Sequence, residues 1–233
     1  MRSLGVLLRK ELHATFISPV AYVVSAVFLL VAGYTFALTL FFTKVANLIH
    51  LFHQVYILLV LLVPVITMRA FAEERRADTL ELLLTAPVRE LWIVLAKYLA
   101  AMALVATLLL LSFSYAVILR VYGAPDMAPI LGGYLALLLL ASLLVAAGML
   151  WSSVTENQVV AASASLGTFL MLWFADSVAY ILPPPVDLFF VNASLLGHFA
   201  PISRGSIFLS DVGYYLSGTL LALFLTTRVL ADR

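Results

Sequence analysis

Six apolar runs dominate the chain, at about 18–42, 54–71, 91–119, 128–151, 158–182 and 210–230. A helix of about 20 such residues spans the ~30 Å hydrocarbon core of a bilayer. Lipid leaves backbone amides and carbonyls no partner but each other, so the runs must be helices or strands of a closed barrel. Barrel strands are short and alternate polar with apolar residues, whereas these runs are continuous. The chain is 64% hydrophobic and only 11% charged, against about 25% charged for a soluble domain. The expected fold is an all-α integral membrane protein with six transmembrane helices, forming a single transmembrane domain over residues 1–233. The first run, Val20 to Phe42, is longer than the roughly 7–15 apolar residues of a signal sequence and reads as a span.

Charge then sets the orientation. With the N-terminus in the cytoplasm, ten Lys and Arg fall on the cytoplasmic side: Arg2, Arg9, Lys10, Arg69, Arg75, Arg76, Arg89, Lys97, Arg228 and Arg233. Three remain outside: Lys44, Arg120 and Arg204. The positive-inside rule therefore predicts both termini and the 71–90 connection in the cytoplasm.

Two further pieces are amphipathic. Residues 1–17 place Arg2, Arg9 and His13 on one helical face and Leu4, Leu8, Leu12 and Phe16 on another, with Glu11 spoiling the apolar side. That pattern predicts a helix lying in the membrane interface. Residues 183–209 open with three prolines and carry Asp187, Asn192, His198 and Arg204. They are too polar and broken to span, and predict short extracytoplasmic helices between the fifth and sixth runs.

The stretch FAEERRADTLELLLTAPVRE, Phe71 to Glu90, holds eight of the 25 charged residues of the chain. Inserting eight charges would cost roughly 20–28 kcal/mol, while each leucine returns only about 0.3–0.6. The segment therefore stays out of lipid. Asp78-Thr79-Leu80-Glu81 has the form of a capping box, and Pro87 ends the helix that it opens. A helix of about two turns near 79–85 is too short to stand alone. It has to rest on its own membrane domain, the lipid surface or a partner.

The residues from Phe71 to Ala100 resemble the signature of permease subunits of type-2 ABC transporters. Glu74 to Arg76, Thr79 to Leu83, Pro87-Val88 and Lys97 occupy the matching positions. The stretches WSSVTENQVVAA (151–162) and 198–233 are similar to the gliding-motility, GldF-like branch. The resemblance implies that the short helix is a coupling helix docked on a separate ATPase subunit. Leu80, Leu83 and Leu84 would give apolar contact there, and Thr79 lies in the same matching stretch. Glu73, Glu74, Arg75, Arg76, Asp78 and Glu81 would set orientation and partner choice. It further implies a second permease copy or relative, and an auxiliary membrane-anchored protein with an extracytoplasmic domain. It places the complex in a bacterial inner membrane.

Other signals are weaker. Thr155 and Gln158 fit a capping box opening the fifth span, and Thr155, Glu156 and Asn157 are expected to form a minor second ATPase contact. Asp176 is the clear acid inside a span, and such acids are functional candidates. His50 and His53 have metal-like spacing but lie in the expected outer loop without a third ligand. The pairs Gly148–Ser152, Ala161–Ser165 and Gly213–Ser217 have the spacing of close helix packing, which allows a permease pair. There is no cysteine, and no glycine precedes Lys10, Lys44 or Lys97, so no phosphate-cradling loop exists. The expectation is a non-enzymatic chain that binds no cofactor of its own and no nucleic acid, with ATP and Mg held by the partner. Its role would be to couple ATP hydrolysis to export. The alternative is a membrane subunit that passes ATPase work to an extracytoplasmic machine without moving a substrate.

Overall fold

The computed structural model describes residues 2–43, 47–79, 89–123 and 125–231. Among these residues every regular element is a helix, and no strand is present. The helices are α1 (Arg2–Ile17), α2 (Pro19–Thr43), α3 (Ile49–Thr67), α4 (Ala72–Arg76), α5 (Glu90–Tyr122), α6 (Met127–Val154), α7 (Gln158–Ala179), α8 (Val186–Ala193), α9 (Leu195–Ser203) and α10 (Leu209–Ala231). Six of them, α2, α3, α5, α6, α7 and α10, are long and apolar enough to cross a membrane.

The bundle is built around α6. Of its most apolar eighteen residues 78% are buried, against 22% in α2 and in α7. This helix contains no charged residue, and it opens on Asp126, whose side chain accepts a hydrogen bond from the Ala128 amide. Such a helix, apolar on all sides, belongs in the centre. Around it pack α3, α5, α7, α9 and α10. Small residues set the closest approaches. A Cβ at Gly133 would collide with the Phe52 ring, and one at Gly148 with Thr67 Oγ1. Deeper along the helix, the Ser142 and Thr219 hydroxyls lie 3.1 Å apart and join α6 to α10.

These contacts also fix direction. Phe52 meets Gly133 and Thr67 meets Gly148, so α3 and α6 run parallel. Gly205 lies against Ala128 and Gly132, and Gly218 against Leu143, so α10 starts where α6 starts. The α8–α9 hairpin, bent by 55°, therefore returns to the face that it left. Ser194 makes the bend by capping α9 with a hydrogen bond from the Gly197 amide. One face of the bundle holds α1, α4 and the end of α10; the opposite face holds α8 and α9.

Several details depart from the sequence reading. His50 and His53 lie in the first turns of α3, which begins before 54 at Ile49, whose amide donates to Asn47 Oδ1 at 2.7 Å. The start of α7 is capped by Asn157, which accepts from the amides of Val159 and Val160. Thr155 only accepts from the Asn157 amide, because a cap must sit immediately before the first helical turn. Asp78 has φ +53. An N-cap residue is extended, whereas the left-handed region suits the residue that ends a helix, and Asp tolerates it. Asp78 thus follows the C-terminal turn of α4. The Glu81 half of the expected capping box lies outside the described residues.

Candidate functional site

The polar residues that the sequence scatters along the chain gather at the face holding α1 and α4. Lys97 sits two turns into α5 and is only 6% exposed. Removing an ammonium from water costs several kcal/mol unless it is well paired. Its Nζ lies 2.8 Å from Glu74 Oε1 and 3.3 Å from Glu11 Oε2, and 5.5 Å from the centroid of the Phe71 ring. The Glu11 that interrupts the apolar side of α1 is therefore the residue that reaches α5. One lysine holds together the interfacial helix, the charged segment and the third span.

A second tie is made by Ser152, in the last turns of α6 and fully buried. Its hydroxyl donates to the Met68 carbonyl at 3.0 Å and accepts from the amides of Phe71 and Ala72 at 3.0 and 3.1 Å. Helix ends leave amides and carbonyls unpaired. Here α3 ends at Thr67 and α4 begins at Ala72, and one hydroxyl from a third helix satisfies groups on both sides of the break. The Gly148–Ser152 pair is thus used within the chain, against Thr67 and the 68–72 turn.

The charged segment divides accordingly. Glu74 and Arg75 turn inward. Glu73, Arg76, Asp78 and Thr79 are exposed. Glu73 lies 3.9 Å from Arg69, and Thr79 Oγ1 donates to the Glu74 carbonyl at 3.2 Å. Leu80, Glu81, Leu83 and Leu84, and with them most of the expected 79–85 helix, lie outside the described residues. Glu156 and Asn157 are exposed, just beyond the end of α6. Asp176 is half-buried near the end of α7, away from this face. Among the described residues no group of three or more His, Cys, Asp or Glu is placed to hold a metal.

The opposite face has its own polar cluster, unforeseen in the sequence. His198 Nδ1 lies 2.8 Å from Asp211 Oδ1, and its Nε2 is 3.2 Å from the Asn192 carbonyl. The imidazole stacks on Tyr214 with centroids 4.2 Å apart. Tyr214 donates to the Ala193 carbonyl and Tyr215 to the Leu195 carbonyl, both at 2.8 Å. These bonds fasten the α8–α9 hairpin to the start of α10.

Fold and site together define a multi-pass helical membrane protein whose charged segment is bonded into the membrane domain on one side and exposed on the other. Residues 6–189 match the model of the ABC-2 family transporter proteins, and the chain belongs to that family. It is a permease subunit of an ABC transporter, the membrane component, and membership implies an ATPase subunit as its partner. No curated protein matches the chain. The matched range includes most of α1, all of α4 and all of α6.

Proposed function

We propose that the face carrying α1 and α4 is cytoplasmic in a bacterial inner membrane, and that the ATPase subunit docks there. The exposed residues Glu73, Arg76, Asp78 and Thr79, followed by Leu80, Glu81, Leu83 and Leu84, form the docking segment. Glu156 and Asn157 form a smaller second contact. ATP and Mg bind in the partner, and this chain converts the partner's movement into movement of its spans, in the direction of export. A second permease copy or relative completes the pathway. One observation carries the reading. The exposed segment is continuous with Glu74, and Glu74 is bonded to Lys97 in a span and through it to Glu11 in α1. Displacement of the segment is thus delivered to two other helices.

The test is co-purification with the ATPase encoded beside it. The double variant Arg76→Glu with Asp78→Asn changes only exposed charges, keeps a residue that tolerates the left-handed backbone at position 78, and is expected to abolish capture while the permease folds normally. Normal capture of the ATPase by that variant, and by Leu83→Asp, would place docking elsewhere.

A second reading is favoured by α8, none of whose residues is buried. Val186, Leu188, Phe189 and Val191 stand exposed on the opposite face. They suit an auxiliary extracytoplasmic protein, as in the GldF-like branch, to which the chain would transmit work without moving a substrate. ATPase activity stimulated by such a protein and by no small molecule would favour this reading over export.

A further inference from the structure

Among the described residues, two side chains hold the end of α8 from outside that helix. Tyr214 donates to the Ala193 carbonyl, and His198 Nε2 lies 3.2 Å from the Asn192 carbonyl. No residue of α8 is buried, so little packing supports these bonds. On its other edge the imidazole meets α10, where Nδ1 lies 2.8 Å from Asp211 Oδ1.

Both neighbours of the ring are acceptors. A backbone carbonyl cannot donate, and neither can an ionised carboxylate. A neutral imidazole has a single N–H. Beside an ionised Asp211 it makes one of the two bonds and turns a lone pair to the other oxygen. The pair makes both bonds only when it holds one more proton, whether that proton sits on the ring or on the carboxyl. Asp211 favours its uptake. The residue is only 6% exposed, its Oδ2 has no partner, and Ser210 Oγ reaches Oδ1 only at 3.5 Å. His198 is its ion-pair partner among the described residues, and a buried carboxylate left without a cation is costly. The His198 side chain is 16% exposed, so the proton comes from solvent.

The elements around the ring do not supply a substitute. On α10, Tyr214 and Tyr215 spend their hydroxyls on the Ala193 and Leu195 carbonyls. On α3, His53 and Tyr56 pack on Phe199, with His50 one turn earlier, and Arg204 after α9 acts on His53. On α7 the charged residue is Asp176, on α8 it is Asp187 at the far end, and α6 has none. Among the described residues, none of these groups forms an ion pair with His198 or Asp211. The end of α8 and the start of α9 meet at the ring with opposed dipoles, which offset.

We infer that His198 and Asp211 form a proton-operated clasp. With the extra proton the pair fastens α8 to α10; without it the ring lets go of one of them. Closing takes up a proton, so the clasp is firm in acid and loosens as the pH rises. The inference is independent of where the ATPase docks.

The test is amide hydrogen exchange across 188–193 on the full chain in nanodiscs, corrected for the intrinsic effect of pH. Measurements at about pH 5.5 and about pH 9 bracket the ordinary imidazole value of about 6.5. Protection is expected to be at least about fivefold higher in acid, the effect of one hydrogen bond. His198→Phe keeps a ring on Tyr214 and should be weakly protected at both values. Asp211→Asn is the sharper variant. Its amide can donate to Nδ1 and leave Nε2–H for the Asn192 carbonyl, so both bonds form without the extra proton. It should stay protected at both values. Equal or lower protection of the unmodified chain in acid overturns the proposal. So does a pH response that survives in His198→Phe, which retains His13, His50 and His53, or in Asp211→Asn. If His198→Phe does not fold, the unmodified chain and Asp211→Asn decide it.

Discussion

The two faces of the bundle are fastened in different ways. At the α1–α4 face two of the bonds join residues far apart in sequence, Lys97 to Glu11 across 86 residues and Phe71 to Ser152 across 81, while Lys97 to Glu74 spans 23. Four helices, α1, α4, α5 and α6, meet there through an ion-paired lysine and one hydroxyl. At the opposite face the bonds are local. His198–Asp211, Tyr214–Ala193 and Tyr215–Leu195 are separated by 13, 21 and 20 residues. They tie one hairpin to the span that follows it, and two of them end on backbone carbonyls. A network joining distant helices can carry a displacement through the bundle. A local knot holds one element in place.

The contrast can be broken at either face. Lys97→Met should do the most damage, because Glu11 and Glu74 would remain largely buried without their cation. Losing one partner of a buried ion pair costs about 3–5 kcal/mol, which unfolding in mild detergent would register. A loss below ~1 kcal/mol would mean that water already screens the pair. Ser152→Ala comes next. Two amides and a carbonyl lose their partner, and each buried unsatisfied group costs about 1–3 kcal/mol. Faster hydrogen exchange at Phe71 and Ala72 should accompany the loss, and unchanged exchange there would remove Ser152 from the network.

On the other face, Tyr215→Phe removes one hydrogen bond from a ring that still packs. It should cost about 1 kcal/mol, with protease sensitivity rising in 186–203 and not in 68–79. Sensitivity rising at both faces would show that the outer knot is not local. The smallest effect belongs to Gly213→Ala. Nothing lies within 4 Å of a Cβ there, so the gain is that of Ala over Gly in a helix, up to about 1 kcal/mol. The contact at Gly148 predicts strong destabilisation for the same change. If Gly213→Ala instead destabilises an isolated pair of permeases, Gly213 and Ser217 pack against a second copy.

The six helices were legible because lipid demands long apolar runs, and charge or proline interrupts each run. The direction of α8–α9 was legible for the same reason: Pro183-Pro184-Pro185 and His198 exclude a straight span. Contacts were harder to read. Glu11 looked like a flaw on an apolar face, and Lys97 looked like one position in a family signature. Either charge alone says only that a partner exists. The partner is 86 residues away, and one sequence does not pair them. The spacing of Ser152 from Gly148 marks it as a packing residue, and its hydroxyl matters as much. The cap on α7 is Asn157 and not Thr155, since Thr, Asn and Gln crowd that turn and several alignments satisfy the pattern. Asp211 and His198 belong to different helices, and neither is unusual where it stands.

Docking falls to exposed side chains, and transmission to the buried bond between Glu74 and Lys97. Glu74→Gln tests that separation most directly, since it keeps the shape of the side chain and Lys97 retains Glu11. The measurement is the ATPase rate of the purified complex in nanodiscs, relative to the isolated ATPase subunit. The account predicts a complex that assembles normally but loses at least about tenfold of its permease-dependent stimulation, equivalent to roughly 1.4 kcal/mol of coupling. An assembled Glu74→Gln complex with full stimulation would contradict it.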